Sequence, residues 1–162
     1  MTIRPARTAD ATAIHALIDT NRERGHLLPR TLDDISARIR GFVVAEQEGR
    51  IAGCGELARL SADVAEVRSL VVGEPWRGNG VAGKLVSALH RRARIDGHQR
   101  LCAFAHDPVP FMRLGFSIVP HAWLPEKISA DCAQCALFRQ CGQYALMVSL
   151  PSFQWQRRSH AA

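Results

Sequence analysis

Apolar residues at Ala11, Ile14, Leu17 and Ile18 fall on one face of a helix, so the stretch from Thr8 onward is predicted to be amphipathic and helical. Before it, "TIRPA" reads as a short opening strand closed by Pro5. Thr31 followed by Asp34 has the form of a capping box, and Ile35 and Ile39 give a second short helix one apolar face. The intervening "NRERGHLLPR" reads as a polar loop. "GFVVAEQEGRIAGCGELARL" predicts a hairpin, with strands over 42–46 and 50–60 around a Glu48-Gly49 turn. The next apolar run, "DVAEVRSLVVG", is a strand ended by Pro75. Strict alternation puts Glu66, Arg68, Leu70 and Val72 on one face and Ala65, Val67, Ser69 and Val71 on the other. From about Asn79 to Ile95, the apolar set Val81, Ala82, Leu85, Val86, Leu89 and Ala93 recurs with helical period. A "DGHQR" turn, a buried strand "LCAFA", a short helix "PVPFMRL" stopped by Gly115 and a strand "GFSIVP" follow. Residues 122–143 read as irregular and cysteine-rich, and "QYALMVSL" as the last strand. Residues 1–150 are expected to form one domain and 151–162 a flexible tail.

Composition narrows the function classes. With 162 residues the chain can bury a core without staples, and 47% hydrophobic with 22% charged content is ordinary for a globular domain. No apolar run is long enough to span a bilayer, and the amino terminus lacks the apolar stretch of a signal peptide, so the cytoplasm is the expected compartment. Five cysteines, an odd number, argue against a disulfide framework. The formal charge is +6, but the basic residues are spread out and aromatics make up only 6%. That is a poor platform for stacking bases, whereas a basic surface also suits the phosphates of a small cofactor. Neither nucleic acid nor membrane is expected as a partner.

The segment "EPWRGNGVAGKL" (residues 74–85) matches three phosphate-binding patterns. All rest on backbone N–H groups at a helix start, freed from side-chain crowding by glycine. The P-loop pattern fails at Leu85, where a Ser or Thr hydroxyl should hold magnesium. The dinucleotide pattern fails on position: it belongs in the first strand–helix unit with an acid about 20 residues on. Here it follows a hairpin and a long strand, and Asp96 arrives too early. The R-x-x-G-x-A pattern of an acyl-CoA pyrophosphate loop, Arg77 to Ala82, meets no such obstacle.

"LVVGEPWRGNGVAGKLV" and "PFMRLGF" together resemble the GNAT superfamily of acetyl-CoA-dependent N-acetyltransferases. "LLPRT", "FVVAEQEGRIAGCGEL", "AEVRSLVV" and "LPEKISADCAQCALFRQC" are similar to the single-domain amino-acid N-acetyltransferases of the N-acetylglutamate synthase type, which catalyse the first step of arginine biosynthesis. The resemblance runs from about Ile3 to Leu150. It implies an α/β GNAT fold: a mixed, mostly antiparallel sheet with a central splay, flanked by helices. It also implies acetyl transfer from acetyl-CoA to the α-amino group of an amino acid, L-glutamate first. Another amino acid or small amine as acceptor, or a non-catalytic acyl-CoA- or metal-binding regulatory module, are the alternatives.

An ammonium must lose a proton before it attacks a thioester, and a carboxylate in a partly buried strand suits that task. The resemblance puts Glu66 in this role; pairing with Arg68 merely to neutralise both charges is the plain alternative. Cations are needed for the acceptor's carboxylates, and the resemblance offers Arg30 and Arg68, with Lys127 behind them. For the cofactor it implies backbone N–H groups of Leu70, Val71 and Val72 at the acetyl oxygen. The pyrophosphate falls to Arg77, Gly78, Asn79, Gly80, Val81, Ala82 and Gly83, with Lys84 as an extra contact. The sequence departs from the superfamily at Phe111, where many members carry a tyrosine that protonates the leaving thiolate. Ser117, His106, water or unassisted departure then remain. Cys132, Cys135 and Cys141 have half of a zinc-site spacing, with His121 or Cys102 as conceivable fourth ligands, but the set is incomplete and no metal is assigned. "CGQYALMV" also lacks the acidic residue that the resemblance leads one to expect soon after Cys141. The histidines His15, His90, His98 and His160 are given no role and are expected to be exposed. The partner is a small-molecule amino acid, and a homodimer is left open.

Overall fold

The computed structural model describes residues 1–25 and 27–151, with only the backbone for residues 24 and 25. The expected tail over 152–162, including His160, lies outside the described residues. Seven strands form one sheet: β1 (Thr2–Pro5), β2 (Phe42–Gln47), β3 (Arg50–Arg59), β4 (Val64–Val72), β5 (Arg100–Ala105), β6 (Ser117–Val119) and β7 (Tyr144–Ser149), in the order β1-β2-β3-β4-β5-β7-β6. All neighbours are antiparallel except β4 and β5, which run parallel and pair only from Val64–Arg100 to Val67–Ala103. Beyond Val67 the two strands part, which is the central splay of a GNAT fold.

Helices cover both faces: α1 (Ala11–Thr20), α2 (Arg22–Gly25), α3 (Leu32–Ala37), α4 (Val81–Ile95), α5 (Val109–Met112) and α6 (Pro125–Ala130). The long crossover helix α4 buries Val81, Leu85, Val86, Leu89 and Ala93 against Val43, Ala45, Ala52, Ala65, Val67, Leu101 and Ala103. Leu85 and Leu89 are fully buried, each contributing about 1.5–3 kcal/mol relative to exposure. Gly97 ends α4 at φ +85, with His98 N–H bonded to Ala93 C=O and Gly97 N–H to Arg94 C=O, a Schellman closure. On the opposite face, Ile14, Ile18 and Ile35 from α1 and α3 pack on Phe42, Val44, Cys54 and Val71. A third cluster, Val64, Cys102, Val119, Leu124 and Ala145, lies at the α6 end of the sheet.

The structure departs from the sequence expectations in four places. First, alternation along β4 breaks at Ser69, whose φ is +47. Cys54 pairs with Val71 and Glu56 with Arg68, so β4 carries an extra residue there, a bulge. Leu70 and Val72 therefore pack on the α4 side with Val67, whereas Glu66 and Arg68 stand on the other face. Second, the segment expected to be irregular contains α6, whose single turn and a half, opened by Pro125, is too short to show a period. Third, the polar "NRERGHLLPR" loop holds the one-turn α2. Fourth, His98 is buried, its Nδ1 lying 3.0 Å from the Ala62 carbonyl, while His15 and His90 are half-buried. No helix among the described residues is long and apolar enough to cross a membrane.

Candidate active site

Two features of the fold converge where β4 ends. One is the glycine loop. A 3₁₀ turn, Glu74–Trp76, follows Gly73, and the chain then passes Gly78 (φ +77) and Gly80 (φ +71) into α4. A Cβ at either glycine would meet nothing within 4 Å, so these positions require glycine for backbone conformation rather than for space. Gly80, at the N-cap of α4, offers no side-chain cap, so among the described residues the first N–H groups of α4 are not capped from that position. Arg77 holds the loop in place: its Nε donates to the Val72 carbonyl at 3.0 Å and its Nη2 to Asn21 Oδ1 at 2.5 Å. Asn79 Nδ2 donates to the Arg77 carbonyl at 3.2 Å. These two side chains thus brace the loop, and Lys84 is exposed on the first turns of α4.

The other feature is the splay. Among the described pairings, residues 69–72 of β4 are held by β3 alone, so the side of β4 facing β5 is open beyond Val67. Glycine loop and opening adjoin through Gly73. A glycine-led helix start for phosphates and an unpaired strand edge for an extended arm suit an acyl-CoA.

Just before the opening, on the face away from α4, stands a cluster of charges. Glu66 is 3% exposed. Lys127 Nζ, from α6, donates to its two oxygens at 2.7 and 3.0 Å and to Asp131 Oδ2 at 2.9 Å. Arg68 Nε donates to Glu66 Oε2 at 2.5 Å, and its Nη2 donates to Asp131. Burial works to raise the Asp131 pKa, but the bond from Lys127 and the charges of Lys127 and Arg68 outweigh it and hold the carboxyl below its ordinary value. Glu66 is therefore paired with Arg68, as its plain alternative expected, and with Lys127 as well.

A second cluster adjoins it. Arg30 Nη1 donates to Glu56 Oε2 at 2.8 Å and to Ser69 Oγ at 2.9 Å, and Arg30 Nε donates to Asp34. Burial opposes the charged form of Arg30, yet these carboxylates keep its pKa raised. Glu56 is 2% exposed and pairs directly across the ladder with Arg68, which links the two clusters. The sequence reading singled out Arg30, Glu66, Arg68 and Lys127, and the fold gathers all of them on one wall. It missed Glu56, although a glutamate inside the apolar run "IAGCGELA" carries the same signal as Glu66.

Other expectations fall elsewhere. Phe111 lies in the core, edge-on to Phe116 with ring centroids 5.4 Å apart. Ser117 is on β6, paired with Met147. Among the described residues no group of three or more His, Cys, Asp or Glu is arranged to hold a metal ion. Cys102 is buried, Cys132 half-buried, Cys135 and Cys141 exposed, and His121 packs its ring 5.7 Å from that of Phe104.

The fold and site define a class. Residues 11–116 match the model of the acetyltransferase (GNAT) family, and the chain belongs to that family; it is an acetyl-CoA-dependent acyltransferase. Within the family it is 33% identical, over 71% of its length, to the amino-acid acetyltransferase of Mycobacterium tuberculosis, covering 67% of that protein. It is 30% identical over 91% of its length to an uncharacterized N-acetyltransferase of Chlorobaculum tepidum, covering 96% of it. Among solved structures, Rv2747 of M. tuberculosis in complex with CoA and NLQ superposes with a TM-score of 0.80 at 26% identity, over 93% of this chain and 100% of that one. N-acetylglutamate synthase of Neisseria gonorrhoeae, complexed with coenzyme A and N-acetyl-glutamate, superposes with a TM-score of 0.81 at 28% identity, over 93% of this chain. The chain spans only 35% of that longer protein.

Proposed function

We propose that the chain acetylates the α-amino group of an amino acid, with L-glutamate as acceptor, and that Glu66 receives the proton the amine loses. The observation that carries this reading is a buried carboxylate at the edge of the sheet's opening, on the strand whose far end runs into the glycine loop. When bound, acetyl-CoA supplies the acetyl group as a thioester. The N–H groups of α4's first turn and the loop from Arg77 to Gly83 take the pyrophosphate, with Lys84 as an outer contact. Backbone N–H groups of Leu70 to Val72 face the charge that develops on the acetyl oxygen. Glu66 accepts the ammonium proton directly or through water; the amine then attacks the thioester carbonyl, the C–S bond breaks, and the leaving thiolate departs as the thiol of CoA with the amine's second proton, passed through water. Lys127 and Arg68 fix Glu66, while Arg30 and Arg68 attract the acceptor's carboxylates.

L-glutamate as the acceptor, and with it the first step of arginine biosynthesis, is supported by the relatives named amino-acid acetyltransferase and by the N-acetylglutamate synthase superposition. The test is thiol release from acetyl-CoA across the twenty amino acids. L-glutamate among the best acceptors is expected; an equal rate on all of them refutes the glutamate reading. Glu66→Gln should cut kcat by at least about 100-fold while acetyl-CoA binding persists, and normal turnover would remove Glu66 from the mechanism.

A further inference from the structure

Glu56 has no part in the transfer just proposed, yet it is the most buried acid among the described residues. A carboxylate so far from water stays only where cations hold it. Arg30 meets it at 2.8 Å, and Arg38 Nη1 stands 3.9 Å from its other oxygen. Arg30 is also bound by Asp34 and by the Ser69 hydroxyl. Ser69 reaches Arg30 from the bulge, at a φ of +47 that a non-glycine residue adopts only when its surroundings impose it. The Arg30 guanidinium thus spends Nε and Nη1 on internal partners, and its Nη2 has no partner among the described residues.

The charge balance of this wall is the point. Arg30, Arg38, Arg68 and Lys127 are matched by Asp34, Glu56, Glu66 and Asp131, four cations against four carboxylates. An incoming carboxylate at Nη2 would feel the Arg30 charge and, slightly farther off, the opposing negative charge of Glu56, which offsets much of that attraction. A neutral amide would find the same N–H donors and no repulsion.

We propose that Glu56 is a specificity-determining residue: it neutralises Arg30 from inside the sheet, so that the acceptor site takes amino acids with neutral polar side chains alongside the acidic one. This rests on the reading of the wall as the acceptor site. Glu56→Gln keeps the shape and an oxygen for Arg30 but removes the charge. The measurement is kcat/KM for L-glutamate and for the isosteric L-glutamine, in wild type and variant.

In wild type the two acceptors should lie within about tenfold of each other; in Glu56→Gln the preference for L-glutamate should rise about tenfold or more, carried by the amino-acid KM rather than by kcat. Should Glu56→Gln lose its cooperative melt, Asp34→Asn removes a second, half-exposed charge from the same guanidinium and should move the ratio the same way by a smaller factor. A ratio unmoved in the folded variant overturns the role of Glu56 and leaves the acetyltransferase reading intact. Wild type inert on both amino acids, with acetyl-CoA bound, overturns the acceptor-site reading and this inference with it.

Discussion

Lys127→Met tests how the charge cluster is held together. The wild-type ammonium is 2.7 and 3.0 Å from the oxygens of Glu66 and 2.9 Å from Asp131, with side-chain exposures of 11%, 4% and 35% for the three groups. Removing one member of an isolated buried ion pair costs about 3–5 kcal/mol, mostly because the other charge is left unpaired. Here Arg68 stays on both carboxylates, which compensates part of the loss. Met also replaces the lysine stem's packing near Phe104, whose ring centroid lies 5.1 Å from the ammonium. The expected cost is therefore about 2–3 kcal/mol, or roughly 4–12 °C in Tm for a chain of this size. Urea and thermal denaturation followed by circular dichroism measure it. Adding Glu66→Gln should recover at least about 1 kcal/mol relative to the sum of the single losses, since neither buried charge is then stranded. A Lys127→Met loss below about 0.5 kcal/mol, or strictly additive losses in the double variant, would refute the coupling argued from these distances.

Glycine positions give a pair of opposite outcomes. A Cβ on Gly53 would sit 2.9 Å from the Val71 carbonyl, so Gly53→Ala should cost about 1–3 kcal/mol in urea denaturation. Gly83, inside α4 and 3.7 Å from its nearest neighbour, should gain about 0.5–1 kcal/mol as alanine in the cofactor-free protein. Thiol labelling should divide the cysteines: burial pushes the Cys54 and Cys102 thiols up to about 12, so at pH 8 both should resist iodoacetamide until the protein unfolds. Cys135 and Cys141 should react first and Cys132 more slowly, as peptide mass spectrometry would report. The folded-state pKa values of Asp10, Asp34 and Asp131 lie below their ordinary value of 3.8. For Asp10 the bond from Arg4 is the main cause. In such cases the unfolded chain binds more protons at acid pH, so their stabilisation is complete above pH 3.8 and is lost as pH falls through the folded values. Stability against urea should drop below about pH 4, and Asp10→Asn should make that drop shallower.

Much of this was legible from pattern. Helix α4 shows in its apolar period, the hairpin in its Glu-Gly turn, and the glycine loop in three glycines placed after a strand rather than at the chain's first turn. What misled was local backbone behaviour. One residue, Ser69, takes a left-handed conformation in β4, and every side chain after it changes face. Nothing in "EVRSLVV" announces this, because a bulge is fixed by the partner strand. Arg30 lies far from Glu66 in sequence, and its contacts with Glu56 and Ser69 depend on how α3 packs on β2 and β3. The same is true of Lys127, which the resemblance offered to the acceptor's carboxylates and which is buried because α6 folds down on Glu66.

The splay has a mechanical meaning as well. Strands β1 to β4 form one plate, and β5, β7 and β6 form another; among the described residues their strands pair at four positions, 64–67 against 100–103. Glu66 and Arg68 ride on the first plate. Lys127 and Asp131, carried on the chain after β6, belong to the second. Their ion pairs cross the seam like a latch, so the residues proposed to handle the proton also brace the jaw into which the acetyl donor would fit.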